Sequence, residues 1–177
     1  MYSLSSGSKL FYRNAGIAYY QISITFDQKF YVNKKKSKSS TLKEWFCVND
    51  ATKDAITSIL NSNIFSWFYF CFSDCYHLTK TDLTRFKIDL NQNLINDVSK
   101  KTDPLMRSLN DTSVYKLANY KTKGKVEYQE FYPRYSKQII DQIDCLLAQH
   151  YGFTHEELDF IINYDIKYRM GKELNSS

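Results

Sequence analysis

Asp50-Ala51-Thr52-Lys53-Asp54-Ala55-Ile56-Thr57-Ser58-Ile59-Leu60-Asn61-Ser62-Asn63-Ile64-Phe65-Ser66-Trp67-Phe68-Tyr69-Phe70-Cys71-Phe72 is the stretch on which the rest of the chain is read. In its first half Ala51, Ala55, Ile56, Ile59 and Leu60 recur at three- and four-residue spacing, which brings them to one face of a helix. Asp50, an acceptor ahead of that run, is the expected N-cap. Asn61-Ser62-Asn63 breaks the period, and Ile64 to Phe72 resumes it with apolar groups nearly all round. A helix of that kind lies at the centre of a core or against a docking partner. Trp67 and its neighbours are therefore assigned to packing rather than to base stacking.

Working outward, Leu10–Tyr12 and Ile17–Phe26 alternate and are rich in Tyr, Ile and Thr, with Asn14-Ala15-Gly16 between them, a hairpin pattern. Lys29–Val32 reads as a third strand and Leu42–Val48 as a fourth. Lys34-Lys35-Lys36-Ser37-Lys38 between them is too charged to bury and is a solvated turn or loop. Downstream, Thr79 caps a short turn through Lys80 to Phe86. Leu90–Tyr120 is weakly helical and divided by Pro104. Lys121–Lys125 is a basic linker around Gly124, and Val126–Tyr132 is a short strand. In Ser136–Tyr151 the residues Ile139, Ile140, Ile143, Leu146 and Leu147 form one helical stripe, and Gly152 stops it. Thr154-His155-Glu156-Glu157 is a capping box opening a last helix.

The expectation is an α+β fold: an N-terminal antiparallel β portion on an aromatic helical hairpin, with a C-terminal helical extension. Residues 1–90, 91–135 (a helical or linker region) and 136–177 are its three parts.

Fifteen Tyr, twelve Phe and two Trp make 16% of the 177 residues, ample material for a core. The net charge is +5, and residues 1–135 carry 20 Lys and Arg against 12 Asp and Glu. Residues 136–177 reverse the balance, 4 against 7. A basic body with an acidic tail suits a polyanionic partner. Met1–Leu10 has the polar character of no secretion signal, and Ile64–Phe72 is about half of a bilayer span, so a cytoplasmic protein without membrane contact is expected.

Glycine-rich nucleotide loops, nucleophile elbows and the H-E-x-x-H zinc motif are absent from the sequence. Amino-methylating enzymes need a proline-bearing loop of the N-P-P-Y type, and Pro104 and Pro133 stand alone. No catalytic residue is assigned, so the chain by itself is not expected to be an enzyme. Cys71, Cys75 and His77 have close soft-ligand spacing, but zinc needs a fourth ligand. Both cysteines fall on or just after an apolar helix and are expected to pack as small hydrophobes. No metal is assigned. His150 and His155 are read as structural.

Two groups of segments resemble a known family. The first is Lys9-Leu10-Phe11-Tyr12-Arg13, Ile59–Trp67, Ser73–Leu83 and Phe86-Lys87-Ile88. The second is Tyr132-Pro133-Arg134-Tyr135-Ser136-Lys137 through Asp144, then His150–Thr154 and Glu156–Met170. Together they are similar to the TaqI-like C-terminal specificity domain, the target-recognition part of adenine-specific DNA methyltransferases of type IIG-like restriction-modification systems. The resemblance implies a module that reads double-stranded DNA beside a separate catalytic domain. That domain would bind S-adenosylmethionine and flip the adenine, while this chain would hold no cofactor. It implies loops of a β platform in the groove, with Arg13, Lys29, Lys34, Lys35, Lys36, Lys38, His77, Lys80, Arg85 and Lys87 as DNA contacts. The alternative expectation is a non-catalytic module docking on a separate methyltransferase or restriction polypeptide.

Overall fold

The computed structural model describes residues 7–16 and 20–164. The strand start at Ile17 and the segment Asp165–Met170 of the family resemblance lie outside them.

Strands β1 (Ser8–Arg13), β2 (Ser23–Ile24), β3 (Phe30–Val32), β4 (Lys35–Lys36) and β5 (Leu42–Cys47) come first. Helices α1 (Asp50–Leu60), α2 (Asn63–Phe72), α3 (Lys80–Arg85), α4 (Gln92–Ser99) and α5 (Thr102–Asp111) follow. A hairpin of β6 (Val114–Tyr120) and β7 (Gly124–Glu130) then leads, through a short 3-10 turn at Pro133–Ser136, to α6 (Lys137–Tyr151) and α7 (His155–Asn163). This is an α+β protein whose described strands form two antiparallel sheets, β2-β1-β5 and β4-β3-β7-β6.

One core runs through the three segments expected from the sequence. Leu10, Phe11 and Trp45 from the first sheet meet Ile59, Phe65, Leu105, Leu109, Ile140, Ile143 and Leu147 from the helices. Each such side chain fully buried contributes roughly 1.5–3 kcal/mol. Helix α6 lies within this core, with Ile143 and Leu147 wholly enclosed.

The polar break after α1 is what binds the layers together. Asn61, Ser62 and Asn63 are all buried. The Asn61 amide donates to the carbonyls of Ser23 (2.7 Å) and Thr57 (2.8 Å), and its Oδ1 accepts the Ser23 N–H at 3.1 Å, tying α1 to β2. Ser62 caps α2 by accepting the Phe65 N–H at 3.0 Å. Asp144 of α6, fully buried, accepts from the Ile64 N–H (3.0 Å) and the Asn63 amide (2.7 Å). A carboxylate thus lies where the positive end of the α2 dipole favours it.

Several expectations are corrected. The N-cap of α1 is Asn49, whose Oδ1 accepts the Thr52 N–H at 2.8 Å; Asp50 begins the first turn. Asn14-Ala15-Gly16 is not a hairpin turn. Its backbone pairs with Thr41, Tyr76 and Leu78, fastening the loop after α2 to the end of β1. Pro104 does not divide a helix but sits in the first turn of α5, where its missing N–H has no intrahelical partner to lose. Residues 114–120 form a strand rather than helix, and the expected linker Lys121–Lys125 is instead a hairpin turn over residues 121–123 followed by the start of β7. Cys71 and Cys75 are exposed; the buried thiol is Cys47.

Candidate nucleic-acid interface

The second sheet brings two lysine-rich turns together. Between β3 and β4 the chain reverses through Asn33 and Lys34, both with positive φ (50° and 66°), as in a two-residue type I′ hairpin. Between β7 and β6 it reverses around Gly124, with φ of 77°. Strands β3 and β7 are neighbours, so the turns lie side by side.

Asn33 staples them. Its N–H donates to the Lys125 carbonyl at 2.7 Å, and its Oδ1 accepts the Lys125 N–H at 3.0 Å. Its amide nitrogen reaches the Lys123 carbonyl at 3.4 Å. A Cβ on residue 124 would lie 2.6 Å from Asn33 Oδ1, so glycine is required there for contact as well as for φ.

This end of the sheet carries Lys34, Lys35, Lys36, Lys121, Lys123 and Lys125, all exposed. At about 4.8 Å per strand the two turns are roughly 10 Å apart. The acids reaching this region are Glu127, which shares a sheet face with Tyr31 and Lys36, and Asp27, 3.9 Å from Lys36. Lys29 lies on that same face and sits over the Tyr115 ring at 5.6 Å. Its pKa is raised, first by the hydrogen bond it donates to Tyr115, so it stays charged.

The other expected contacts separate from this cluster. Lys38 pairs with Glu44 at 3.2 Å, which also takes Lys9 at 3.5 Å; the Lys38 hydrogen bond chiefly holds Glu44 below its usual range. Arg13 ends β1 with its Nε donating to the Ala15 carbonyl at 3.0 Å. His77 is beside it through the bridge to Ala15, and its Nδ1 is 2.8 Å from Asp74. Lys80 and Arg85 lie exposed on α3, and Lys87 just beyond, where its carbonyl accepts the Tyr151 hydroxyl. A cleft of about 40 Å3, with Phe11, Phe30, Lys36, Leu42 and Glu44 among its lining residues, has room for a few waters.

A second cationic cluster surrounds Glu130. Lys116 lies 2.7 Å from its carboxylate, which also accepts the Tyr132 hydroxyl at 2.8 Å. Burial opposes ionisation of Glu130, but Lys116, Tyr132 and then Arg13 hold its pKa low. The Glu130 hydrogen bond, in turn, raises that of Lys116. The Arg134 guanidinium stacks between Tyr132 (5.3 Å) and Tyr135 (4.8 Å). Lys116 and Arg13 are thus gathered about one acid, and Arg134 lies against the tyrosine that donates to it.

Sequence reasoning missed Lys121, Lys123 and Lys125 as partners of Lys34–Lys36. A local signal existed in Lys123-Gly124-Lys125, a glycine between lysines ahead of a strand. Among the described residues no group of three His, Cys, Asp or Glu is placed to hold a metal ion, and no helix is long and apolar enough to cross a membrane. No protein-family model, curated protein or solved structure matches the chain.

Proposed function

We propose that the chain is a double-stranded DNA recognition module serving an adenine-specific DNA methyltransferase, with S-adenosylmethionine bound by a separate catalytic domain. The observation that carries the DNA part is the stapled pair of lysine turns. Two cationic turns about 10 Å apart are commensurate with the ~12 Å major groove and its flanking phosphates. The methyltransferase part rests on the sequence resemblance of residues 9–90 and 130–172.

Binding at this tip is electrostatic, and each phosphate neutralised contributes about −0.9 to the slope of log affinity against log salt. Fluorescence anisotropy with a labelled duplex across a salt series tests this. Reversing Lys34 and Lys123 to Glu should flatten the slope by about two phosphates' worth. Duplex binding that is undetectable at low salt, or indifferent to the double reversal, refutes it. Calorimetric titration with S-adenosylmethionine should give no heat from this chain; saturable heat would place catalysis here instead.

A further inference from the structure

Among the described residues nine large apolar side chains are prominently exposed, and four of them, Val114, Tyr115, Leu117 and Tyr120, fall in the single strand β6. Leu117 is 70% exposed. β6 is the last strand of its sheet, and nothing among the described residues covers its outer side. It has no proline and no bulge, and Lys116 is its one charge. Long apolar edges of this kind pair with further strands.

The direction of each main-chain group follows from neighbouring bonds. The Gln129 N–H donates to the Lys29 carbonyl, and the Lys125 carbonyl accepts from Asn33. The odd-numbered residues of β7 therefore face β3, and the even-numbered ones face β6. Across β6 this assigns Val114, Lys116, Ala118 and Tyr120 to β7. Tyr115, Leu117 and Asn119 direct their N–H and C=O groups outward.

We infer that this edge pairs antiparallel with β6 of a second copy of the chain, about a two-fold axis at Leu117. Leu117 then faces Leu117 of the second copy, and Tyr115 faces its Asn119, each pair exchanging two N–H···O bonds. On the opposite side of the sheet Lys116 meets Ala118 and Val114 meets Tyr120. The strand's only charge is never set against itself, whereas like charges directly opposite destabilise a pair. The axis stands perpendicular to the sheet, so both copies present Lys29, Lys36 and Lys125 on one side. Dimer formation does not depend on DNA binding.

Sedimentation velocity of the full chain without nucleic acid, from micromolar to hundreds of micromolar, should show a reversible species at twice 20.9 kDa. Leu117→Lys sets like charges across the axis and should weaken association about tenfold or more, with circular dichroism unchanged. Leu117→Cys should cross-link to itself on mild oxidation, since facing Cα atoms about 5.5 Å apart lie within disulfide reach. Peptide mapping identifies that bond against those of Cys71, Cys75 and Cys145. A chain monomeric throughout, a dimer indifferent to Leu117→Lys, or cross-links only at other cysteines overturns the proposal. So does a monomer whose Leu117 amide resists exchange, because another segment of the same chain then fills the edge.

Discussion

Replacing Gly124 by alanine tests whether the two lysine turns are one rigid unit. Two costs follow from the geometry. The backbone at φ 77° is left-handed, which a Cβ penalises by roughly 1–2 kcal/mol. The new Cβ also falls 2.6 Å from Asn33 Oδ1, so Asn33 must withdraw and release the Lys125 N–H it accepts at 3.0 Å. Losing that bond at an exposed site is worth about 0.5–1.5 kcal/mol. The sum is about 1.5–3.5 kcal/mol of local stability. In an Asn33→Gly background the second cost is already absent, and only the backbone penalty remains. The two changes are thus coupled by about 1 kcal/mol. Native-state amide exchange through β3 and β7 is the right assay, because a peripheral sheet can open without global unfolding. Duplex affinity should fall with Gly124→Ala although every lysine is retained. Equal cost of Gly124→Ala in both backgrounds would refute the staple.

Asp144→Ala removes the buried acceptor of the Ile64 N–H and the Asn63 amide and should cost about 3 kcal/mol in urea unfolding; a loss under about 1 kcal/mol would show the site to be replaceable. The Asp74 carboxyl, held to about 2 chiefly by the His77 backbone N–H and then by the His77 ring and the Tyr76 N–H, lies below its ordinary 3.8. Its contribution to the 73–78 loop is therefore complete above the unfolded value and disappears as pH falls through about 2, which an NMR titration of the Tyr76 and His77 amides follows; a midpoint near 3.8 would contradict the loop geometry. Burial pushes the Cys47 thiol up to about 11, so a thiol reagent at pH 8 should label exposed Cys71, Cys75 and Cys145 quickly and Cys47 only on unfolding.

What the sequence made legible were elements whose burial imposes a period. The stripe of α6, the cap at Thr79, the capping box at Thr154 and the stop at Gly152 are all present where the residues placed them. Strand β6 was illegible for the converse reason. Alternation marks a strand only where one face is buried, and no residue of Val114–Tyr120 is buried. Its Leu117 and Tyr120 then fall at a helical spacing that means nothing. The lysine cluster shows the same limit at longer range. Lys34 and Lys123 meet only because β3 and β7 pair, and no composition of either turn encodes the register between them. The expected contact set was accordingly divided: Lys34, Lys35 and Lys36 fall at the tip, while Lys38 is engaged by Glu44 and Arg13 faces Glu130.

The second sheet adds little to the core. Val126 is its one buried apolar side chain, and the core cluster is drawn from the first sheet and the helices. Its attachment is polar instead: the buried Gln129 donates to Asn110 (3.1 Å) and Ser113 (2.8 Å), holding β7 to the end of α5. Six lysines on such a platform repel one another only weakly, about 0.4 kcal/mol per pair at 10 Å in water, less in salt. Repulsion alone therefore neither unfolds the tip nor demands an anion. What favours the proposed polyanion is how the charges are held. Lysines on mobile loops lose backbone freedom when they bind, about 1–2 kcal/mol per residue ordered. On type I′ and Gly124 turns joined through Asn33, that ordering is completed during folding, and an approaching phosphate meets backbone already fixed. On the proposed function it is this ordering, more than the number of lysines, that would suit the tip to a regularly spaced polyanion.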